Sequence, residues 1–442
     1  MRRDAGHSDH VDTIAIDSAA ALSKVRKRLL PFLFALYVIA YLDRINVGFA
    51  ALQMNRAIGL SQAAFGFGSG IFFLGYFIFE IPSNLILRRV GARRWIARIM
   101  ISWGVAATAT MLVRGAPSFY ALRFIPGVAE AGFFPGIIYY LTFWFPERER
   151  ARAIALFMTA TALAGVISGP VSGLILGLDR IGGLAGWQWM FMLEGLPAIA
   201  MGFAVLVYLP DHPGEAAWLT ASEATSLVAH IGNEARPADL THTNFSRVLL
   251  SARVWMLTLF YFLFAFGLYG INFWLPQILK GFGDMSIVAI GFASAIPFAA
   301  AAIAMVLVAR SSDKMGERRI HLAVCAFAAA VGFFAAAYAR NPIAELACIA
   351  LASAGTSSCV GPFWAIPSSL LGEEAAAGGI ALINSVGNLG GFAGPYAAGF
   401  IIEKTHGFGP ALMMMAIALG LAALVALAIR DPKPRAGFVL PV

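Results

Sequence analysis

The chain has 442 residues, of which 60% are hydrophobic and only 13% charged, and it carries a formal net charge of +8. A soluble domain carries about 25% charged residues, so the composition excludes an ordinary soluble protein. A basic balance of this kind could suggest nucleic acid, but the positions of the basic residues give a better account, as follows.

Twelve apolar runs follow one another, at 29–50, 65–87, 95–113, 118–142, 152–177, 188–209, 254–279, 287–310, 319–339, 342–371, 376–402 and 408–429. Each is long enough to cross a bilayer core of about 30 Å as a helix. They are continuous and rich in Gly and Ala, unlike the alternating segments of about 10 residues in membrane barrels. The expected fold class is therefore an all-α membrane protein with 12 transmembrane helices in two pseudo-symmetric six-helix bundles. Residues 1–23 are expected to form a disordered cytoplasmic N-terminus. Bundles at 24–209 and 251–430 are expected to flank a cytoplasmic linker at 210–250, with a cytoplasmic tail at 431–442. The first run starts after a polar stretch and is too long for the apolar part of a signal peptide. Cys325, Cys348 and Cys359 lie within apolar runs and form no CxxC pair, so neither a disulfide nor a metal site is expected.

Most of the 32 lysines and arginines fall in the segments that are cytoplasmic if both termini are inside. Examples are Lys24, Arg26, Lys27 and Arg28, then Arg88, Arg89, Arg93 and Arg94. Each outer loop holds a single basic residue. This is the positive-inside pattern, which accounts for the charge with a lipid bilayer and no nucleic acid as partner. The reading places the protein in the inner (plasma) membrane, multi-pass and monomeric. Two arginines, Arg44 and Arg123, remain inside apolar runs.

Ionisable groups in a membrane cost several kcal/mol, about 2.5–3.5 on insertion scales, and persist where they pair or work. Asp43 and Arg44 are adjacent, so on a helix they point about 100° apart and face different neighbours. Arg123 and Glu130 lie two turns apart on one face of the fourth run. A network of two carboxylates and two guanidiniums between the first and fourth helices is expected. Arginine stays charged and grips carboxylates bidentately, which suits Arg44 and Arg123 to an anionic substrate. No histidine lies in the middle of a run, so proton coupling falls to Asp43 and Glu130. The competing interpretation is a permanent clamp between two helices, and Arg123, nearer the outer end, suits a gate or clamp nearly as well. Glu80 and Glu194 fit packing or gate hydrogen bonds better than transport. In the second half the polar residues within the runs are uncharged: Asn272, Trp364, Asn384 and Asn388, with Tyr41 and Tyr76 from the first half, are the expected substrate contacts. Asn amides bond hydroxyls or carboxylates, and Trp walls off an apolar portion. Trp274 suits an interfacial belt.

The halves also share a loop. "RRVGARR" (88–94) and "DKMGERR" (313–319) stand 225 residues apart, as parallel repeats would. With these residues the chain resembles the major facilitator superfamily over its full length. The second-half loop keeps that superfamily's Asp313, Lys314, Gly316 and Arg318. The first-half loop has Arg88 where the aspartate belongs and Asn84 where a glycine belongs, keeping Arg89, Gly91 and Arg93. The resemblance implies a gating or conformational role for both loops, and the departure puts an aspartate-based latch in doubt for the first half. "GVISGPVSGLILG" is similar to the superfamily's glycine–proline motif; Gly165, Gly169, Gly173 and Gly177 recur every four residues as one smooth helix face for a close neighbour. "YLDR", "RFIPGVAEAGFFPG", "YGINFWLPQIL" and "INSVGNLGGFAGP" resemble the anion:cation symporter family, especially its bacterial permeases for tartrate-like and aromatic carboxylates. That resemblance implies alternating-access symport of a small organic anion with protons. It agrees with the roles given to Asp43, Glu130 and Arg44. An uncoupled facilitator or exchanger, or a non-transporting sensor, is the alternative. No HExxH, G-x-S-x-G or nucleotide loop is present, so no enzyme activity, cofactor or metal is expected beyond the coupling proton.

Overall fold

Long runs of Ala, Leu, Ile and Phe in lipid leave backbone amides no water to bond, so each segment must satisfy itself as a helix. The computed structural model describes residues 5–232, 250–370 and 373–429, and among these every regular element is helical. In chain order they are α1 (Ala5–Ala57), α2 (Gln62–Val90), α3 (Ala92–Ala109), α4 (Ala116–Glu130), α5 (Phe133–Leu141), α6 (Glu147–Leu176), α7 (Gly186–Tyr208) and α8 (Ala221–Gly232). Then follow α9 (Ala252–Lys280), α10 (Ile287–Met315), α11 (Arg319–Tyr338), α12 (Pro342–Ser358), α13 (Val360–Leu370), α14 (Glu373–Asn388), α15 (Gly390–Thr405) and α16 (Gly409–Ala428). Large apolar side chains such as Phe203, Val207, Phe327 and Leu424 stay exposed on the outer faces, as lipid contact requires.

Among the described residues eleven stretches are long and apolar enough to cross a membrane. The eleventh expected run, 376–402, is present as α14 and α15, of 16 residues each, which meet at Leu389. The fourth and tenth expected runs are also interrupted: α4 passes to α5 through Ala131 and Gly132, and α12 to α13 at Cys359. Residues 5–23, expected to be disordered, continue α1. "SAAALSKV" is built of good helix formers, and Ala21, Leu22 and Val25 are buried. Residues 1–4 and the expected tail at 431–442 lie outside the described residues.

The chain forms two compact units, one of residues 1–237 with 272–299, the other of 238–271 with 300–442. This division crosses the six-plus-six division, because residues 272–299 pack within the first unit. Glycine explains the attachment. A Cβ on Gly48 would lie 2.8 Å from the Phe273 carbonyl oxygen, and one on Gly169 would lie 2.3 Å from that of Gly291. Gly165 faces the Phe298 ring and Gly173 the backbone of Gly291. The four-residue glycine face of α6 thus meets α10 over three positions. Gly177, at the helix end, has only the Val288 side chain opposite, at 3.8 Å. In the second unit the early part of α9 uses the same device. A Cβ on Gly390 or Gly394 would meet the carbonyl oxygen of Phe262 or Phe266 at 2.1 and 2.2 Å.

The first part of the connector is folded. Trp218 stacks on Trp144 at 5.7 Å and lies under the Arg28 guanidinium. The Tyr140 hydroxyl donates to the Pro210 carbonyl at 2.8 Å. Lys24 of α1 pairs with Glu223 of α8 at 2.7 Å. The Lys24 hydrogen bond, with the backbone amide of Thr220, holds the Glu223 carboxyl below its ordinary 4.5. A lowered folded-state value means the contribution is complete above 4.5 and is lost as pH falls from there through the lowered value. Amide exchange across 221–232 is expected to be flat from pH 7 to 5 and to rise, corrected for intrinsic rates, in more acidic buffer. In Glu223→Gln that acid-induced step disappears.

Candidate functional site: a buried charge network on α1 and α4

Helix geometry sends Asp43 and Arg44 apart. Asp43, 3% exposed, accepts a hydrogen bond from Trp103 Nε1 of α3 at 2.7 Å and another from Asn46 Nδ2 at 3.1 Å. Arg44 turns to α4 and α2. It pairs with Glu130, its Nη2 donating to Oε1, and its guanidinium lies 5.4 Å from the Phe72 ring centre and 5.8 Å from that of Tyr76.

Glu130 is the last residue of α4. Ala131 leaves helical geometry and Gly132 has φ +87, a conformation that favours glycine. A Cβ there would also meet Ser83 Oγ at 2.4 Å. The break ends α4 at a buried carboxylate, with its irregular backbone buried in protein and so kept from lipid. Gly127 lets α4 touch α2, since a Cβ would lie 2.1 Å from the Phe72 carbonyl oxygen. That contact brings Phe72 between two cations: Arg123 lies 5.6 Å from its ring centre on α4, as Arg44 does from α1.

Arg123 is 3% exposed, and its Nε and Nη2 make no hydrogen bond. Its charge acts on both Asp43 and Glu130. Glu130 Oε2 also lacks a hydrogen-bond partner. The four groups expected on the first and fourth helices are all on α1 and α4, and Arg44 and Glu130 form a direct ion pair. Asp43 is held by neutral donors. An ion-paired carboxylate, a second carboxylate on neutral donors and a buried guanidinium with donor capacity in reserve form a constellation able to exchange partners.

Among the other expected contacts, Tyr41, Tyr76 and Asn272 are buried in the same unit, and Asn272 Nδ2 reaches the Tyr41 hydroxyl at 3.5 Å. In the second unit, Trp364 of α13 meets Tyr261 edge-on at 5.3 Å. There Asn388 donates to Asn384 Oδ1 at 3.3 Å, one turn apart on α14. Trp274 is fully buried, edge-on to Phe65, so it is a packing residue and not part of an interfacial belt. Three residues escaped the sequence reading. Trp103 and Phe72 look like core in an apolar run. Asn46 is i+3 from Asp43, a spacing that could have been noticed. Glu194 of α7 is buried, accepts from Ser172 of α6 at 2.9 Å and stands near Asn46. Among the described residues no group of His, Cys, Asp and Glu could hold a metal ion.

Lysine keeps the charge of arginine but not its fork of donors, which the sequence reading gives to an anion at Arg44. Arg44→Lys is expected to raise the half-saturation concentration for substrate about tenfold, the scale of one charge-assisted hydrogen bond, while leaving thermal stability near wild type. Ligand-induced thermal shifts over a concentration series check this.

The Major Facilitator Superfamily pattern matches residues 33–395 and 261–441. A protein of Agrobacterium vitis named "Putative tartrate transporter" is 46% identical over 418 residues, covering 95% of this chain and 93% of that one. The "Quinolone resistance transporter" of Acinetobacter baumannii is 41% identical over 393 residues, covering 89% and 91%. Among solved structures, a bacterial homolog of the human lysosomal transporter Spinster superposes with a TM-score of 0.74 at 18% identity, over 91% of this chain and 96% of that one.

Proposed function

The chain belongs to the Major Facilitator Superfamily and is a multi-pass membrane transporter; from that premise we propose that it takes up a small organic anion together with protons by alternating access. The substrate class is a carboxylate, a tartrate-like hydroxy acid or an aromatic acid. The tartrate in the name of the Agrobacterium vitis relative supports an organic acid; the name of the Acinetobacter baumannii relative points to quinolones instead. The protein lies in the inner membrane with both termini cytoplasmic, a reading that the distribution of basic residues supports.

The observation that carries this reading is Arg123, a buried guanidinium with two nitrogens lacking hydrogen bonds, beside the Arg44–Glu130 pair. A substrate carboxylate supplies the missing acceptors. Once it engages Arg44, Glu130 loses its counter-charge. A buried carboxylate without a cation is costly, and taking a proton removes that cost. Anion entry and proton entry are thereby linked through one arginine. Asp43, one residue away and held by Trp103 and Asn46, is the second proton carrier. Tyr41, Tyr76 and Asn272, in the same unit as the charge network, contribute hydroxyl, amide and ring contacts to the substrate.

Purified protein in proteoliposomes tests the reading. Addition of tartrate-like or aromatic carboxylates should acidify the lumen in a substrate-dependent way. Substrate flux without proton movement would make the protein a facilitator or exchanger. Ligand binding with no flux of either kind would make it a sensor.

A further inference from the structure

The two repeated loops differ in where their acids come from. In the second unit the loop is self-sufficient. Asp313 pairs with Arg318 at 2.6 Å. Glu317 accepts the backbone amides of Ile320 and His321 at 2.6 and 3.1 Å, capping the start of α11. The 225-residue offset maps Asp313 onto Arg88, Glu317 onto Ala92 and Arg318 onto Arg93. The first-half loop therefore lacks both acids. Its α3 begins after Gly91, a residue with φ +95 and no side chain to cap the first turn.

Asp211 fills both places. Its Oδ1 accepts the backbone amide of Arg93 at 2.8 Å, and its Oδ2 lies 3.7 Å from Arg93 Nε. Position 93 is second in α3, where an amide has no partner within the helix and a carboxylate is favoured. Both carboxylate oxygens lie 3.4 Å from where a Cβ on Gly91 would stand. Asp211 is itself anchored, because its amide donates to Glu215 Oε2 at 3.2 Å and its neighbour Pro210 is bonded by Tyr140.

We infer that Asp211 is the missing acid of the first-half gating loop, supplied by the connector, and that this contact positions α2 and α3 for the transport cycle. One carboxylate performs the ion pairing of Asp313 and the capping of Glu317. The difference between the loops has a mechanical meaning. In the second half the latch is internal to the loop. In the first half it is a joint between the loop and the chain just after α7, so the first turn of α3 is held from the end of α7 and not by its own loop. The inference rests on the transport reading for its kinetic consequence and on geometry alone for the contact.

Two readouts separate these parts. Amide exchange at Arg93, which needs no substrate, is expected to accelerate about fivefold in Asp211→Ala, the scale of one lost helix cap. Maximal uptake in proteoliposomes is expected to fall by about the same factor with little change in half-saturation, since Arg44 and Glu130 are untouched. Asp211→Asn, which keeps an oxygen to accept the Arg93 amide, is expected to recover most of both. Exchange at Arg93 unchanged in Asp211→Ala overturns the contact. Loss of uptake that persists in Asp211→Asn with Arg93 protection regained overturns the positioning role. If wild-type protein moves no carboxylate at all, the transport reading fails while the exchange result still decides the contact.

Discussion

Asp43→Asn is expected to abolish proton-driven accumulation while sparing substrate exchange. The substitution is nearly isosteric, and the amide keeps an oxygen to accept from Trp103 or Asn46, so the fold should survive. What is lost is the ability to take and release a proton. Coupling free energies between sites run about 1–3 kcal/mol, or roughly 5–150-fold, so concentrative uptake should fall by about 10- to 100-fold. Counterflow of labelled against unlabelled substrate should stay within a few-fold of wild type. Glu130→Gln should behave similarly for accumulation and should also alter binding, because it leaves Arg44 without its counter-charge. Accumulation that persists in both single variants would assign coupling elsewhere, with Glu194 the next carboxylate to test, through Asn46 and Ser172.

The second large effect concerns the seam between α6 and α10. Gly169→Ala places a methyl group 2.3 Å from the Gly291 carbonyl oxygen and 3.0 Å from Ser294 Cβ. Neither is the far end of a flexible side chain, so the helices must part. Overpacking of this kind costs about 1–3 kcal/mol, and a lowered midpoint in detergent thermal unfolding, with reduced transport, should report it. Gly177→Ala is the control. Its methyl meets no backbone of α10, only carbonyl oxygens of its own helix, that of Leu174 at a tight 3.1 Å, and the Val288 methyl at 3.8 Å, and should cost clearly less than the change at 169. Equal effects at 169 and 177 would mean that the glycine face acts through helix propensity and not through close approach.

These residues also show what could be read in advance. Charges inside an apolar run are so costly that Asp43, Arg44, Arg123 and Glu130 stood out, and helix geometry alone sent Asp43 and Arg44 to different partners. The four-residue glycine period showed a contact face. Its partner, α10, could not be read, because periodicity describes one surface of an interaction only. Trp103 was invisible for a related reason: an indole among alanines and isoleucines looks like core until a carboxylate is seen beside it. Asp211 lies 118 residues from Arg93. The loop comparison exposed an absent acid but no local signal located its substitute. The helix break after Glu130 was only half legible, since "EAGFFPG" offers glycines that an intact membrane helix also tolerates.

The assignment of residues 272–299 to the first unit has a consequence for how occupancy could be felt. Asn272 opens that segment, and its amide reaches the Tyr41 hydroxyl two residues before Asp43. A guest with a better acceptor would compete with the Tyr41 oxygen for that amide, at the place where the segment starts. The glycine seams further along hold by shape and are indifferent to chemistry. The segment is thus secured by two fastenings of different kinds, and only the one at Asn272 answers to the chemistry of a neighbour.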